Sequence, residues 1–264
     1  MKTIGFIGAG NMGSALAAAV CQTMGADNVI LTDKDTQKAQ ALATTLGCKA
    51  ESLDILLAQC DVIFLGVKPQ VLPTVLADIT PKITGTPLFI SMAAGVTLNT
   101  LGAALPTMPI IRIMPNLPVK ISAGMILYTP NCLVSQDMEA AFLHMLEQAG
   151  TLDKLPEAQI DAGSAISGCG PAFVAMFAEA LADSGVACGL PRNKALLYAE
   201  QTIKGTADLL LETGEHPATL KDAVCSPGGT TIEGVLVLEN EGFRTAVSGA
   251  VRAAFERTKE LSKR

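Results

Sequence analysis

The sequence predicts an α/β fold in which a doubly wound parallel sheet is followed by an all-helical C-terminal domain. Three observations support this fold. Short apolar runs alternate with helical stretches from Thr3 to about Ile113, a glycine loop separates the first run from the first helix, and strand patterns stop after about Asp161. Alternating strands and helices are typical of a parallel sheet with crossover helices.

Four apolar runs form the core of the predicted sheet. They span residues 3–8, 29–33, 61–67 and 87–95, and a helical stretch follows each of the first three. Their nearly continuous apolar character is typical of strands that helices cover on both faces. Shorter runs at 110–113 and 124–128 extend the sheet, and an amphipathic helix from about Asp137 to Gln148 closes the domain. We therefore assign residues 1–160 to the first domain.

Helical patterns fill the remainder of the chain. They begin near Pro171, Pro191, His216 and Phe243. Both prolines stand where a helix tolerates proline, in its first turn. We assign residues 161–264 to an all-helical second domain, and the boundary depends on this change of pattern alone.

The composition restricts the function. A net charge of −6 over 264 residues argues against the basic surface that nucleic acid or an anionic membrane requires. Apolar residues make up 49% of the chain and charged residues 17%. This is more apolar material than a solvated monomer needs, so we expect a homo-oligomer. Glycine, proline or charge interrupts every apolar run before it reaches the length of a membrane span, so we expect no membrane partner.

Cellular location and metal content are also constrained. The N-terminus enters the first strand without the pattern of a secretory signal, so we expect a cytoplasmic protein. The seven cysteines lack CxxC spacing, which argues against a disulfide framework or a zinc site. With only two histidines in the chain, we expect no metal centre.

A G-x-G-x-x-G motif lies between the first strand and the first helix, where it indicates a Rossmann-type dinucleotide site. The first glycine permits a tight turn, the second lets the backbone approach a pyrophosphate, and the third allows helix and strand to pack closely. Amide groups at the helix start then face the phosphates. A glycine turn that binds nothing is the less favoured alternative. The predicted cofactor-binding residues here are Gly8, Ala9, Gly10, Asn11, Met12 and Gly13.

Asp33 follows the second strand, where an acid can accept hydrogen bonds from the adenosine ribose of a dinucleotide. This placement favours NADH over NADPH. The neighbouring Lys34 offers a positive charge for a 2′-phosphate, and an ordinary loop acid that begins the next helix is a further alternative for Asp33. We therefore expect NADPH or NADH as the cofactor, with Asp33 favouring NADH.

Two further strand ends carry candidate cofactor contacts. Val67 is the last residue of the third apolar run and is followed by Lys68 and Pro69, and Ala93 and Ala94 lie at the end of the fourth. Doubly wound folds bind ligands at the carboxyl ends of their strands. Small residues at the second place let the backbone lie near the nicotinamide, and close packing is the alternative.

The segment CSPGGTT, residues 225–231, is the most unusual part of the helical half. Converging amides at a helix start form a site for a carboxylate or phosphate, and threonine hydroxyls add donors without adding charge. A simple N-cap loop is the alternative. The glycine-rich segment at 167–173 leaves the same choice open, with close packing between domains as the other interpretation. The predicted substrate-binding residues of the first segment are Ser226, Gly228, Gly229, Thr230 and Thr231.

The motifs GAGNMG, VKPQ, SMAAGV, RIMPN, SGCGPA and CSPGGTT occur in this order, and with them the whole chain resembles the pyrroline-5-carboxylate reductases. RIMPN and SPGGTT are the most specific of these motifs. The resemblance implies reduction of L-1-pyrroline-5-carboxylate to L-proline by hydride from NAD(P)H, the final step of proline biosynthesis. It also implies a helical C-terminal domain that interleaves with a second copy in a homodimer or higher homo-oligomer.

The same resemblance assigns roles to single residues. It implies that the substrate carboxylate lies against the SPGGTT amides and that Thr231, as the catalytic residue, hydrogen-bonds near the ring nitrogen. Glu157 is implied to lie close to the same pocket and is therefore a further predicted substrate-binding residue. Arg112 and Asn116 belong to the matching RIMPN motif.

Two positions depart from the family pattern. Cys169 stands where the family usually carries serine, which removes a hydroxyl donor but leaves backbone contacts in place. Asp33 stands where many members carry a small or basic residue, which argues against a simple assignment to NADPH.

Two other functions remain open from the residues alone. A 3-hydroxyacid dehydrogenase uses a lysine on a helix, and Lys194 and Lys204 are available, but neither follows that group's glycine-rich catalytic pattern. A non-enzymatic dinucleotide sensor would bind the cofactor without turnover.

The reductase needs no histidine triad, because the cofactor supplies the hydride and the protein orients an already electrophilic iminium.

Overall fold

A computed structural model describes residues 2–262 and contains one eight-stranded sheet. The strand order is β3-β2-β1-β4-β5-β6-β7-β8, counted along the chain. The strands are β1 (Ile4–Ile7), β2 (Val29–Thr32), β3 (Lys49–Ala50), β4 (Val62–Leu65), β5 (Leu88–Ser91), β6 (Ile110–Met114), β7 (Gly124–Pro130) and β8 (Gly150–Lys154). The order reverses between β1 and β4, which is where a doubly wound sheet opens a crevice for a ligand.

Helices connect these strands in the pattern that the sequence predicts. The helices of this part are α1 (Asn11–Met24), α2 (Thr36–Leu46), α3 (Leu53–Gln59), α4 (Leu72–Ile79), α5 (Leu98–Ala104), α6 (Gln136–Met145) and α7 (Glu157–Ser167). The predicted α/β fold class with its doubly wound sheet is confirmed.

The sheet departs from an all-parallel arrangement at β7. This strand is antiparallel to β6 and parallel to β8, while the other neighbouring pairs are parallel. Only residues 115–123 join β6 to β7, and a parallel connection needs a crossover of about a dozen residues or more. The longer connection through α6 allows β7 and β8 to run in the same direction.

Successive side chains of each strand point to opposite faces of the sheet, and both faces are buried. Phe6 and Phe64 lie on one face, where their rings stack with centroids 4.3 Å apart. Ile7, Ile63 and Leu65 lie on the opposite face, among residues of α3, α4 and α5. The near-continuous apolar runs in the sequence arise from this burial on both sides.

The described residues divide into two compact units. The first comprises residues 2–169 and 254–262, and the second comprises Gly170–Ala253. The boundary predicted at residue 160 falls inside α7. Ile160 is fully buried in a small cluster with Met114 and Leu127, so the first turns of α7 pack on the sheet.

The helical remainder of the chain contains α8 (Gly170–Ala187), α9 (Arg192–Thr213), α10 (Pro217–Val224), α11 (Thr230–Asn240) and α12 (Phe243–Ser262). Within the second unit, α8 and α9 pack through the buried residues Ala182, Ala195 and Ala199. Many large apolar side chains stay on the surface; Met176 is 69% exposed and Leu211 is 84% exposed. Such an extent of exposed apolar surface is typical of a protein–protein interface.

Candidate active site

The glycine loop closes tightly over the end of β1. Gly8 has a φ of +109°, and a Cβ atom there would lie 2.7 Å from the carbonyl oxygen of Gly66. A Cβ on Gly13 would lie 2.3 Å from the carbonyl oxygen of Gly8. Both positions therefore require glycine, the first for its backbone conformation and the close approach, the second because helix and loop touch.

Gly10 differs from its two neighbours in the motif. It is the N-cap of α1, no side chain caps this helix, and a Cβ on Gly10 would meet no atom within 4 Å. The first helical amide with a backbone partner is that of Ser14, which donates to the Gly10 carbonyl at 2.8 Å. An uncapped helix start with open space in front of it fits the pyrophosphate of a dinucleotide.

Asp33 lies against this loop at the end of β2. Its Oδ2 accepts a hydrogen bond from the Ala9 amide at 2.7 Å, and its Oδ1 accepts one from the Asp35 amide at 2.9 Å. The N-cap of α2 is Asp35, whose side chain accepts from the Lys38 amide. Asp33 is thus not the cap of the next helix; its carboxylate holds the glycine loop.

The other predicted cofactor residues lie at the same edge of the sheet, because β1, β4 and β5 are parallel neighbours. The loop after β4 begins at Gly66, whose amide donates to Ile7, and it contains the three predicted residues Val67, Lys68 and Pro69. The turn after β5 contains the buried Ala93 and the exposed Ala94.

An ion cluster lies beside that turn. Arg112 in β6 is only 1% exposed. Its Nη1 donates to Oε1 of Glu157 at 3.2 Å, and its Nη2 donates to Oδ1 of Asp161 at 2.7 Å. Oε1 of Glu157 also accepts from the Leu98 amide at 2.6 Å. The family resemblance named Arg112 as part of RIMPN and Glu157 as a residue near the substrate pocket, but it did not show that they pair, and it did not name Asp161.

Asn116 lies in the connection from β6 to β7, and Cys169 lies in the connection from α7 to α8. The Asn116 side chain donates to the carbonyl of Ser167 at 2.9 Å and accepts from the Met125 amide at 2.9 Å. Asn116 therefore links the end of α7 to β7. The Cys169 amide donates to the Ser164 carbonyl at 3.3 Å, and its side chain is half-buried.

The CSPGGTT segment connects α10 to α11 in the second unit. Cys225 ends α10, Gly228 has a φ of +65°, and Gly229 is the N-cap of α11 with no side-chain cap. The Gly229 amide donates to the Ser226 carbonyl at 3.0 Å. Thr230 and Thr231 are exposed in the first turn of α11. A second uncapped helix start is therefore present, with two hydroxyl groups beside it. Glu157 belongs to the first compact unit, so the pocket that it shares with Thr231 stays a prediction.

Two family models match the chain. Residues 157–261 match a model described as pyrroline-5-carboxylate reductase dimerisation, and residues 3–95 match one described as NADP oxidoreductase coenzyme F420-dependent. Over 99% of both chains, the sequence is 43% identical to a pyrroline-5-carboxylate reductase of Escherichia coli (strain K12). The chain belongs to the pyrroline-5-carboxylate reductase family. A family member from Synechocystis sp. is 42% identical over 99% of this chain and 98% of its own.

Solved structures agree with this membership. A pyrroline-5-carboxylate reductase from Streptococcus pyogenes has a TM-score of 0.88 and 34% identity, with 98% of each chain covered. One from Plasmodium falciparum with NADP bound has a TM-score of 0.89 and 31% identity, with 99% of this chain and 98% of that chain covered. The sequence-based prediction of an NAD(P)H-dependent reductase of this family is confirmed. A 3-hydroxyisobutyrate dehydrogenase shares 18% identity at a TM-score of 0.55, over 88% of this chain and 72% of that chain, which shows a related fold alone.

The family match also bears on the exposed apolar helices. The stretch Glu157–Ala187 is long and apolar enough, by length and composition alone, to cross a membrane. It lies within the segment that matches the dimerisation model, and Gly168, Gly170 and Pro171 interrupt it. The match to a dimerisation model supports the predicted homo-oligomer, whose interface would cover apolar surface of this kind.

Proposed function

We propose that this chain reduces L-1-pyrroline-5-carboxylate to L-proline with hydride from NAD(P)H, as the final step of proline biosynthesis. The observation that carries the proposal is the 43% identity to a pyrroline-5-carboxylate reductase along the full length of both chains. The cofactor supplies the hydride. The protein binds and orients the two reactants and controls the electrostatics around an iminium that becomes neutral.

The proposed cofactor site is the edge of the sheet formed by the ends of β1, β4 and β5. The start of α1 binds the pyrophosphate, because its amides lack a side-chain cap and Gly10 leaves space before them. The backbone of the turn after β5 lies along the nicotinamide. The proposed contacts are Gly8, Ala9, Gly10, Asn11, Met12, Gly13, Asp33, Val67, Lys68, Pro69, Ala93 and Ala94.

The proposed substrate site includes the start of α11. Its amides and those of the preceding loop hold the substrate carboxylate, since a helix start favours an anion. The Thr231 hydroxyl hydrogen-bonds near the ring nitrogen. Ser226, Gly228, Gly229 and Thr230 complete this loop. The functional assembly is proposed to be a homodimer or a larger homo-oligomer that acts in the cytoplasm.

We further propose a preference for NADH. The Asp33 carboxylate adjoins the glycine loop through the Ala9 amide, and each carboxylate oxygen has a second lone pair for a ribose hydroxyl. A 2′-phosphate at this place would face a negative charge. The neighbouring Lys34 is exposed and offers the only adjacent positive charge in the segment 31–37. Oxidation of NADH and NADPH by purified protein with pyrroline-5-carboxylate measures the preference, and equal or higher efficiency with NADPH contradicts it.

A Thr231→Ala variant tests the substrate site in the same assay. Loss of one hydrogen bond that strengthens in the transition state is expected to lower kcat/KM by roughly tenfold or more, at about 1.4 kcal/mol per tenfold. The dissociation constant of the cofactor should stay unchanged. Thr206→Ala, which removes an exposed hydroxyl in the middle of α9, is the matched control. An unchanged rate in Thr231→Ala would remove its assigned role.

A further inference from the structure

We infer that Glu157 is a positioning residue, which holds the turn between β5 and α5 in place for the cofactor, and that Arg112 fixes Glu157 in this role. The inference concerns residues 91–98, which the proposed function places along the nicotinamide, and it rests on that proposal for its catalytic consequence. Its structural part depends only on contacts within the first compact unit.

The turn is held at both ends. At its start, Ser91 is fully buried, and its Oγ accepts from the Ala93 amide at 3.5 Å. At its end, the Leu98 amide, at the start of α5, donates to Oε1 of Glu157 at 2.6 Å. Gly95 between them has a φ of +75°. A segment with glycine at its centre and few internal bonds takes its conformation from such end contacts.

Arg112 fixes the position of the Glu157 carboxylate that accepts from the Leu98 amide. It pairs with Ser91 in the register of β5 and β6, so its backbone is fixed beside the start of the turn. Its guanidinium spans the two carboxylates of α7, Glu157 and Asp161, which are spaced four residues apart and so share one helix face. One buried side chain therefore ties the turn, the sheet and α7 together.

The contacts favour an indirect role for Glu157 over direct contact with the substrate. Its Oε1 already accepts from two donors, the Arg112 guanidinium and the Leu98 amide. A carboxylate oxygen offers about two lone pairs, so this oxygen is saturated by the protein. Through this oxygen Glu157 acts on the backbone at Leu98, where an uncharged acceptor of the same shape can replace it. Its Oε2 has no hydrogen-bond partner among the described residues, so the comparison with glutamine decides whether that oxygen contacts the substrate.

The test compares Glu157→Ala with Glu157→Gln, and both with substitutions at Glu139. Glu139 is a matched control because its carboxylate also accepts from one cation, Lys154, and one uncharged donor, the Tyr128 hydroxyl. It lies on α6, and neither of its partners belongs to the turn after β5. The measurements are the midpoint of thermal unfolding, the dissociation constant of NADH, amide hydrogen exchange of residues 91–98, and kcat and KM for pyrroline-5-carboxylate.

We expect Glu157→Ala to accelerate exchange at residues 91–98, to weaken NADH binding several-fold and to lower kcat by about tenfold, since a displacement of 1 Å can cost about a hundredfold in rate. The KM for the imine should change little. Glu157→Gln should restore all of these values to within about twofold, because it keeps the acceptor oxygen. Glu139→Ala should lower the unfolding midpoint without changing exchange at 91–98, NADH binding or kcat.

Two results would overturn the inference. One is a Glu157→Ala variant that raises mainly the KM for the imine and is not restored by glutamine, which would show a direct charge contact with the substrate. The other is a Glu157→Ala variant that differs from Glu139→Ala in no property except stability. If the wild-type protein does not turn over pyrroline-5-carboxylate, the proposed function fails, while NADH binding and exchange still decide the role of Glu157.

Discussion

The two glycines Gly10 and Gly13 allow the folding and binding roles of the first loop to be separated. A Cβ atom on Gly13 would lie 2.3 Å from the Gly8 carbonyl oxygen, whereas one on Gly10 would meet nothing within 4 Å. The variants Gly10→Ala and Gly13→Ala each add one methyl group, at positions three residues apart in the loop. We therefore expect Gly13→Ala to reduce stability and Gly10→Ala to reduce cofactor affinity.

The magnitudes follow from these distances. An ordinary carbon–oxygen contact begins near 3.4 Å, so Gly13→Ala requires the loop and α1 to separate by about 1 Å. Overpacking of a close contact costs about 1–3 kcal/mol, and two backbone segments yield less readily than a side chain, so we expect a value near 3 kcal/mol. For a domain of 150–250 residues this lowers the melting temperature by roughly 6–12 °C.

Gly10→Ala should leave stability within about 1 kcal/mol of the wild type. The φ of −71° suits alanine, and the reduced entropy of the unfolded chain offsets the weaker N-cap. The methyl group fills the space that the pyrophosphate needs. Loss of one or two charge-assisted hydrogen bonds, at about 1.5–3 kcal/mol each, corresponds to a dissociation constant at least tenfold higher.

Urea unfolding without cofactor and fluorescence titration with NADH measure the two effects in the same preparations. A Gly10→Ala variant that binds NADH as tightly as the wild type would contradict the binding role of Gly10. A Gly13→Ala variant that unfolds at the wild-type urea concentration would contradict the packing role of Gly13.

Two further predictions concern stability. Ser122 has a φ of +59°, a conformation that costs a non-glycine residue about 1 kcal/mol or more. We therefore expect Ser122→Gly to raise the free energy of unfolding by up to about 1 kcal/mol and so to raise the urea midpoint. An equal or lower midpoint contradicts this. The Lys154 ammonium, with help from the Tyr128 hydroxyl and against partial burial, holds the pKa of Glu139 below its usual value near 4.5. Because the folded pKa is the lower one, the stabilisation is complete above the unfolded pKa and is lost as the pH falls through the folded pKa. The difference in stability between wild type and Glu139→Gln should therefore be constant at neutral pH and shrink below about pH 4.5, and a difference that does not depend on pH would contradict the ion pair.

The sequence predicts the sheet well where strands are buried on both faces and poorly where they are not. Strands β1 and β4, and β5 up to its last residue Ser91, consist of apolar residues and one glycine, so the pattern alone marks them. The edge strand β3 is only two residues long, Lys49–Ala50, and most of β8 (Gly150–Lys154) is exposed. Such edges carry no apolar run. The reversed direction of β7 results from the short connection between β6 and β7. The hydrophobic periodicity of the sequence does not indicate the direction of a strand.

The ion cluster at Arg112 shows the same limit at the site. Arg112 is separated from Glu157 by 45 residues and from Asp161 by 49, so no local pattern joins them. A signal was nevertheless present. Arg112 interrupts a run of isoleucines in a buried strand, and a buried guanidinium needs carboxylate partners. Glu157 and Asp161, four residues apart at the start of a helix, form such a pair on one face.

The helices of this fold differ in how the amide groups of their first turns are satisfied. The side chains of Asp35, Ser52 and Thr97 cap α2, α3 and α5 through their own hydrogen bonds. Glycine occupies the N-cap of α1 and of α11, and neither helix start has a side-chain cap. A polar N-cap side chain typically stabilises a helix by about 1 kcal/mol, so its absence leaves amide donors unsatisfied. These two helices with a glycine N-cap are the ones proposed to receive a pyrophosphate and a carboxylate. The helices α4, α7 and α9, whose N-cap residues are Val71, Pro156 and Pro191, also lack a side-chain cap. Oxygen atoms of the ligands can occupy the place that a cap side chain takes elsewhere, and part of the binding free energy then comes from completing the helix.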